Sequence, residues 1–324
     1  MDLRQLRYFI AIVEAGSISK AALRCNVVQS ALSQQIAALE EELGKPLLIR
    51  SSKGVCPSRA GEILQQQAQH ILQQVQHARS VISTMDSEPA GPVTVGFPTS
   101  TAASLSIPFL QACFQKLPKI ELNLMEGLSR QIHQSLNAGS LDIAILFVGQ
   151  STHGLKTIPL LTEELFIIKR GNSGHAVDTV GTMTRRDLAE QTLLLPEQGN
   201  GLRDLIDPLF HSIDLDIRPR AEIGTLKTMI DAVTAGIGTT ILPWGAFAKE
   251  HRAGTIAAFR LSGISIRRTL MLCTSGMLPV SDAAHAVVTL IRDLVYEQIQ
   301  SGKWKHVHLI NPCPPPAGAV DSDV

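Results

Sequence analysis

Aromatic side chains are scarce in this 324-residue chain, at nine Phe, two Trp and two Tyr. So thin a supply argues against a sugar-binding face or a single-strand surface built from stacked rings. Cysteine is scarce too: Cys25, Cys56, Cys113, Cys273 and Cys313 are odd in number, scattered and without a CxxC spacing. That pattern argues against a disulfide framework and fits reduced thiols in a cytosolic protein. No apolar run approaches the roughly 20 residues of a membrane span. The opening stretch Met1–Leu6 lacks the apolar core of a signal peptide, so a cytoplasmic location with no membrane contact is expected. Net charge is also missing, because 29 Lys and Arg balance 29 Asp and Glu. The informative quantity is then where the charges sit. Enzyme signatures are absent as well: the sequence holds no GxSxG, HExxH or P-loop string. Its GxG at Gly236–Gly238 precedes a strand, the reverse of a dinucleotide turn, and reads as a helix end. His306, His308 and Cys313 form only a loose cluster in a stretch that reads as an exposed tail. No enzyme, cofactor, metal site or catalytic residue is therefore expected.

What is present begins with three short helices. Leu3, Leu6, Ile10 and Val13 recur at helical spacing and Gly16 ends the run. Ser17 can cap a second helix whose apolar face is Ile18, Ala21, Ala22 and Cys25, with Asn26 as its stop. A third carries Leu32, Ile36, Leu39 and Leu43 before Gly44. The other face of its first turns presents Gln29, Ser30, Ser33, Gln34 and Gln35, short or flexible donors and acceptors suited to base edges and phosphates. The acids Glu40, Glu41 and Glu42 occupy its rear, where DNA would be repelled. Strand, turn and strand follow over Leu47–Ser58, with Lys45, Arg50, Lys53 and Arg59 and no acid nearby. Arg50 and Lys53 on such a hairpin would lie along a phosphate backbone. Taken singly, each feature also fits a solvated helix face or a solvated turn.

Taken together, the segments LRQLRYFIAIVEAGSISKAAL, VVQSALSQQIAALEEELGKPLLIR and KGVCPSRAG resemble the head of the LysR-type transcription regulators. The resemblance implies a winged helix-turn-helix over residues 1–59. In it Gln29, Ser30, Ser33, Gln34 and Gln35 face DNA, and Arg50 and Lys53 belong to the wing. Ser30 departs from the family, which usually has proline there. The departure gives up a pre-set backbone and adds a hydroxyl.

Residues 60–88 read as one long helix. Leu64, Ala68, Ile71, Val75, Ala78 and Ile82 form a heptad seam flanked by glutamines. A lone helix cannot bury such a stripe, so a homodimer through it is expected. From residue 89 to 302 the pattern alternates strands and helices, an α/β layout. Two lobes are expected, one from about 93–161 with 266–300 and the other from 162–265. Residues 303–324 read as a disordered tail. The strings LDIAIL and AGIGTTILP resemble the periplasmic-binding-protein-like (type 2) effector domain of the same family. Ligands in such folds sit at strand carboxyl ends and helix amino ends. Thr99, Ser100, Thr101, Ser129, Phe147, Asn200 and Thr225 occupy such places. The stretch Ala144–Phe147 offers no cation, which argues for a neutral or weakly polar metabolite or for none. Within the family, GFPTSTAASLSIPFLQA and the wing are similar to the nitrogen assimilation control subgroup, which allows a regulator needing no co-inducer. The whole chain is then expected to be a promoter-binding regulator that binds double-stranded inverted repeats as a dimer or tetramer and contacts RNA polymerase. A solute-binding protein with oligomerising helices and an enzyme using the cleft are the rival readings. The basic wing speaks against the first, and the missing nucleophile or acid pair against the second.

Overall fold

The structure, a computed structural model, describes residues 1–51, 54–83, 88–147, 154–171, 179–213, 215, 218–276 and 279–310. The head begins with α1 (Leu3–Ala15), capped by Asp2, whose carboxylate accepts from the Gln5 backbone N–H at 2.7 Å. Next come α2 (Ile18–Arg24), α3 (Gln29–Leu43), β1 (Leu48–Ser51), β2 (Gly54–Pro57) and α4 (Arg59–Ser83). Helix α1 packs on α2, α3 and α4 at once. It therefore buries Leu6, Phe9 and Ile12 completely, while Leu3, Ile10 and Val13 are only half-buried. The expected stripe is rotated because partners lie on several sides. Leu43 is also corrected: it is 40 % exposed, and the core stripe of α3 stops at Leu39.

Two contacts fix the hairpin to the helices. The Val55 N–H donates to the Gly16 carbonyl at 2.9 Å. A β-carbon at Gly54 would stand 2.7 Å from that same Gly16 oxygen, so the wing approaches the α1–α2 turn as closely as glycine permits. Glu40, expected on the DNA-repelling rear of α3, accepts from the Leu47 and Leu48 N–H groups at 2.7 and 3.1 Å. One acid of that run thus anchors the start of the wing.

The larger part of the chain forms two lobes around a shared strand. Lobe one contains β3 (Gly91–Pro98), α5 (Thr99–Lys116), β4 (Ile120–Gly127), α6 (Ser129–Asn137) and β5 (Ile143–Phe147). The strand β6 (Leu155–Arg170) then runs from lobe one into lobe two. Lobe two adds β7 (Gly181–Met183), α7 (Arg185–Ala189), β8 (Leu194–Leu195), α8 (Gly201–Ser212), β9 (Ala221–Glu222), α9 (Leu226–Thr234), β10 (Thr240–Pro243), α10 (Trp244–Arg252) and β11 (Ile256–Leu261). The chain returns through β12 (Arg267–Ser275), α11 (Asp282–Gln300) and β13 (Val307–Leu309). Strand order is β4-β3-β5-β12-β6 in lobe one, and β10 and β11 flank the far half of β6 in lobe two. A separate apolar core fills each lobe, around Phe97, Phe109 and Ile291 in one and Phe166, Phe247 and Ile206 in the other.

Some strands are short: around residues 217–222 only Ala221–Glu222 is strand, and residue 217 lies outside the described residues. The expected tail is corrected as well. Residues 303–310 are folded: Trp304 is 6 % exposed in the core of lobe one, and β13 pairs with β6 at Leu161–Glu163. Residues 311–324, Cys313 among them, lie outside the described residues, as do residues 84–87 near the expected end of the long helix.

Candidate nucleic-acid interface and sensor cleft

Helix α3 presents its first turns to solvent. Gln29, Ser30 and Gln34 are exposed, and Ser33 and Gln35 are half-buried on the same side. Val28 at the N-cap has no side chain that could bond the opening N–H groups. Those donors stay available beside the polar side chains, as a phosphate or base edge would require. The Ser19 hydroxyl on α2 donates to the Gln29 Oε1 at 2.9 Å, which leaves the Gln29 amide N–H groups facing outward. Sequence reasoning missed Ser19, because its only signal was an exposed serine in the first turn of α2, ten residues before Gln29. Arg50 is exposed on β1 opposite Val55. Lys53 lies outside the described residues.

In the sensor a cleft of about 470 Å³, its open mouth included, lies between the lobes. Thr99, Ser100, Ser129, Asn200 and Thr225 all line it. The amino ends of α5, α6, α8 and α9 converge there. Asn200 caps α8 through Leu202 N–H at 3.0 Å, and Thr225 caps α9 through Thr228 N–H at 3.3 Å. The caps of α5 and α6 are Pro98 and Leu128, so the free donors belong to lobe one. Leu202, Ile223, Met229 and Leu242 supply an apolar wall.

Two expected lining residues are not in the wall. Thr101 is 1 % exposed and turned into the protein, its hydroxyl unpaired. Phe147 is 3 % exposed and covered by Arg268, whose guanidinium carbon stands 3.8 Å from the ring centroid. Arg268 is the cation that residues 144–147 do not supply. Its Nε donates to Glu163 at 2.6 Å, and a terminal nitrogen donates to the Ser100 hydroxyl at 2.8 Å. Arg268 and Glu163 are both nearly inaccessible and face each other across β12 and β6. Burial disfavours both charges, and each restrains the other. An arginine does not give up its proton in proteins, so we read the pair as ionised. A second cation, Arg130, packs on the loop that carries Asn200: a β-carbon at Gly199 would stand 2.7 Å from its guanidinium carbon. Lobe one thereby touches the Gln198–Gly201 loop of lobe two. Among the described residues no group of His, Cys, Asp and Glu is placed to hold a metal.

Comparison with known proteins now meets this geometry. Residues 3–62 match the bacterial regulatory helix-turn-helix protein, lysR family, and residues 86–295 match the LysR substrate binding domain. The chain is 34 % identical over 297 residues to the nitrogen assimilation regulatory protein nac of Klebsiella aerogenes, covering 91 % of this chain and 95 % of that protein. It is 31 % identical over 310 residues to its Escherichia coli counterpart, covering 95 % and 100 %. Among solved structures, a full-length OxyR variant from Pseudomonas aeruginosa superposes with a TM-score of 0.71 at 24 % identity, covering 91 % of this chain and 94 % of that one. CbnR complexed with its target DNA superposes with a TM-score of 0.65 at 21 % identity, covering 92 % and 99 %, and so shares the fold. The expected architecture of winged head and two-lobed domain agrees with all of these. The chain belongs to the LysR family: it is a DNA-binding transcription regulator and not an enzyme.

Proposed function

We propose that this regulator acts in the cytoplasm as a homodimer, joined through α4, that lays two copies of α3 into successive major grooves of a promoter inverted repeat. The observation that carries this reading is the polar amino-terminal face of α3, Gln29 through Gln35, beside a wing locked to the α1–α2 turn. Half-sites would lie about one helical turn apart, roughly 34–36 Å. Two dimers would join through their sensors into a tetramer, and the assembled complex would contact RNA polymerase and raise or lower transcription. The names of the relatives make promoters of nitrogen-utilisation genes the first targets to try. A gel shift with the purified chain on the intergenic DNA upstream of its own gene and on such promoters tests the proposal. A shifted complex that survives excess scrambled duplex is expected. Equal competition by scrambled and promoter duplex at every salt concentration would refute it.

For the sensor, Thr99, Ser100, Ser129, Asn200 and Thr225 are the effector contacts that we infer. A small molecule would place a polar or anionic group on the amino ends of α5 and α6 and its apolar part on Leu202, Ile223 and Met229. A second reading has its own support. Thr99 bonds the Gly127 carbonyl, Ser100 is held by Arg268, and Asn200 and Thr225 are spent as caps. With Arg130 already on Gly199, much of the polar lining and the adjoining loop is engaged by neighbouring side chains. That favours a regulator active without co-inducer, governed by its own abundance. Unchanged operator affinity after exhaustive dialysis supports this second reading, and affinity restored by a low-molecular-weight extract supports the first.

A further inference from the structure

A second groove lies where lobe one, lobe two and the end of the described chain meet, and it shares no lining residue with the cleft. It consists of two adjoining depressions of about 850 and 650 Å³, open mouths included, which have Trp244, Arg252, Lys303 and Lys305 in common. Lys249 adds a further cation, and among the described residues no carboxylate lines either depression. Such a surplus stands out in a chain whose charges balance at 29 of each sign. Lys249, Arg252 and Lys303 are exposed and have no ion-pair partner among the described residues. The bland explanation is that these cations neutralise the carboxyl ends of α10 and α11. Each helix end is equivalent to about half a negative charge. Two ends cancel roughly one of the three charges at Lys249, Arg252 and Lys303, so most of the surplus remains.

The floor carries an independent sign of an absent partner. Trp304 is 6 % exposed, and its indole Nε1–H has no acceptor among the described residues. That nitrogen stands 3.8 Å from where a β-carbon on Gly245 would be, and Gly245 also lines the groove. Buried N–H groups nearly always find an acceptor. The nitrogen itself is covered, so an oxyanion oxygen seated among the cations would supply one after a small shift of the floor beside Gly245.

We propose that this groove binds a small multivalent oxyanion, a phosphorylated or polycarboxylic metabolite, at the junction of the two lobes. Its floor comes from α5 and the turn after α11, and its wall from α10 of lobe two. Occupancy would therefore tie the lobes together from a place remote from the cleft.

The chain contains only two tryptophans, and both Trp244 and Trp304 line this groove. Intrinsic fluorescence of the full chain is thus a local reporter. Pyrophosphate and citrate are titrated separately at constant ionic strength. A saturable change with at least one of them is expected. Pyrophosphate alone would point to a phosphorylated ligand, citrate alone to a polycarboxylate, and equal response to recognition of oxyanion charge. The double variant Arg252→Glu/Lys303→Glu, both residues exposed, should weaken binding tenfold or more. Lys156→Glu, an exposed lysine on β6, controls for net charge and should leave binding within twofold. Trp304→Phe should weaken it severalfold, with Trp244 still reporting. The proposal is overturned if neither anion gives saturation, or if the double variant binds as the parent does. It is likewise overturned if groove variants weaken promoter binding while no oxyanion binds, an outcome that would assign the cations to the DNA backbone.

Discussion

At the scale of single residues, reading and holding DNA should separate. Gln34 is exposed on the first turns of α3, whereas Arg50 projects from the wing. Gln34→Ala should cost about 1–3 kcal/mol of discrimination between promoter and scrambled duplex. Arg50→Ala should weaken both duplexes alike and reduce the slope of log affinity against log salt by about 1. Anisotropy titrations of both duplexes at several salt concentrations check this, and equal losses for Gln34→Ala would mean that α3 does not read bases there. The polar face of α3 was legible because its spacing is local and helical. Arg268 was not, because its partner Glu163 lies 105 residues away and Ser100 lies 168 away. Only the antiparallel register of β12 on β6 brings them together. Removing one member of such a pair strands a buried charge. Arg268→Met should therefore cost about 3–5 kcal/mol, and Arg268→Met/Glu163→Met should recover much of it. Denaturant unfolding of the three proteins measures both, and a double variant no more stable than the single would remove the pair from the account.

At the scale of elements, the constraints are places where two backbones meet. A β-carbon at Gly61 would stand 2.1 Å from the Leu47 carbonyl oxygen, so the first turn of α4 rests directly on the start of the wing. Gly61→Ala should push them apart and destabilise the head by about 1–3 kcal/mol, the usual scale of overpacking. Differential melting of head and sensor would locate the loss. Sequence alone marked Gly61 only as a glycine near a helix start, since the carbonyl it meets belongs to another element. The same limitation hid the strap at residues 304–309. Its composition resembles a tail, yet Trp304 enters the lobe-one core, and His306 stacks on Trp244 of lobe two with centroids 4.3 Å apart. Burial first, and then the Arg260 charge, holds the His306 pKa below its ordinary value of 6.5, despite Glu164 nearby. Lys305 and His251 face it too and act in the same direction. Below about 6.5 the unfolded chain takes up a proton that the folded strap resists. Stability contributed by His306 is therefore present above that pH and falls as pH drops toward the depressed folded value. Glu164 has its pKa lowered by the Arg260 hydrogen bond, so its own contribution is lost chiefly below its ordinary 4.5 and enters only at the acid end of this window. His306 has φ of 58°, which asparagine also tolerates. His306→Asn should flatten sensor stability against pH between 6.5 and 5, whatever it does to the absolute value. An unchanged slope would exclude His306 as its source.

At the scale of the whole molecule, the heptad seam of α4 divides between two tasks. Sequence spacing assigned all of it to a partner chain. In the structure its first members serve the head instead: Leu64 packs against the head core, and Ala68 is fully buried. The reason is that α1 lies along the start of α4. Ile71 and Val75 are half-buried and belong to none of the four apolar cores, and Ala78 is exposed. This later stretch is the part of the seam open to a second copy. Ile71→Glu/Val75→Glu should leave the head folded and lower the assembly by one step in sedimentation, from tetramer to sensor-joined dimer or from dimer to monomer. Two linked heads gain affinity through effective concentration, commonly by about 10²–10⁴-fold. Operator affinity should drop by that order, and the weak, salt-sensitive binding of a single head should remain. A variant whose assembly matched the parent's would move the dimer interface off α4. A monomer that still bound the full operator as tightly as the parent would mean that one copy of α3 carries the specificity, and the inverted repeat would then lose its physical rationale.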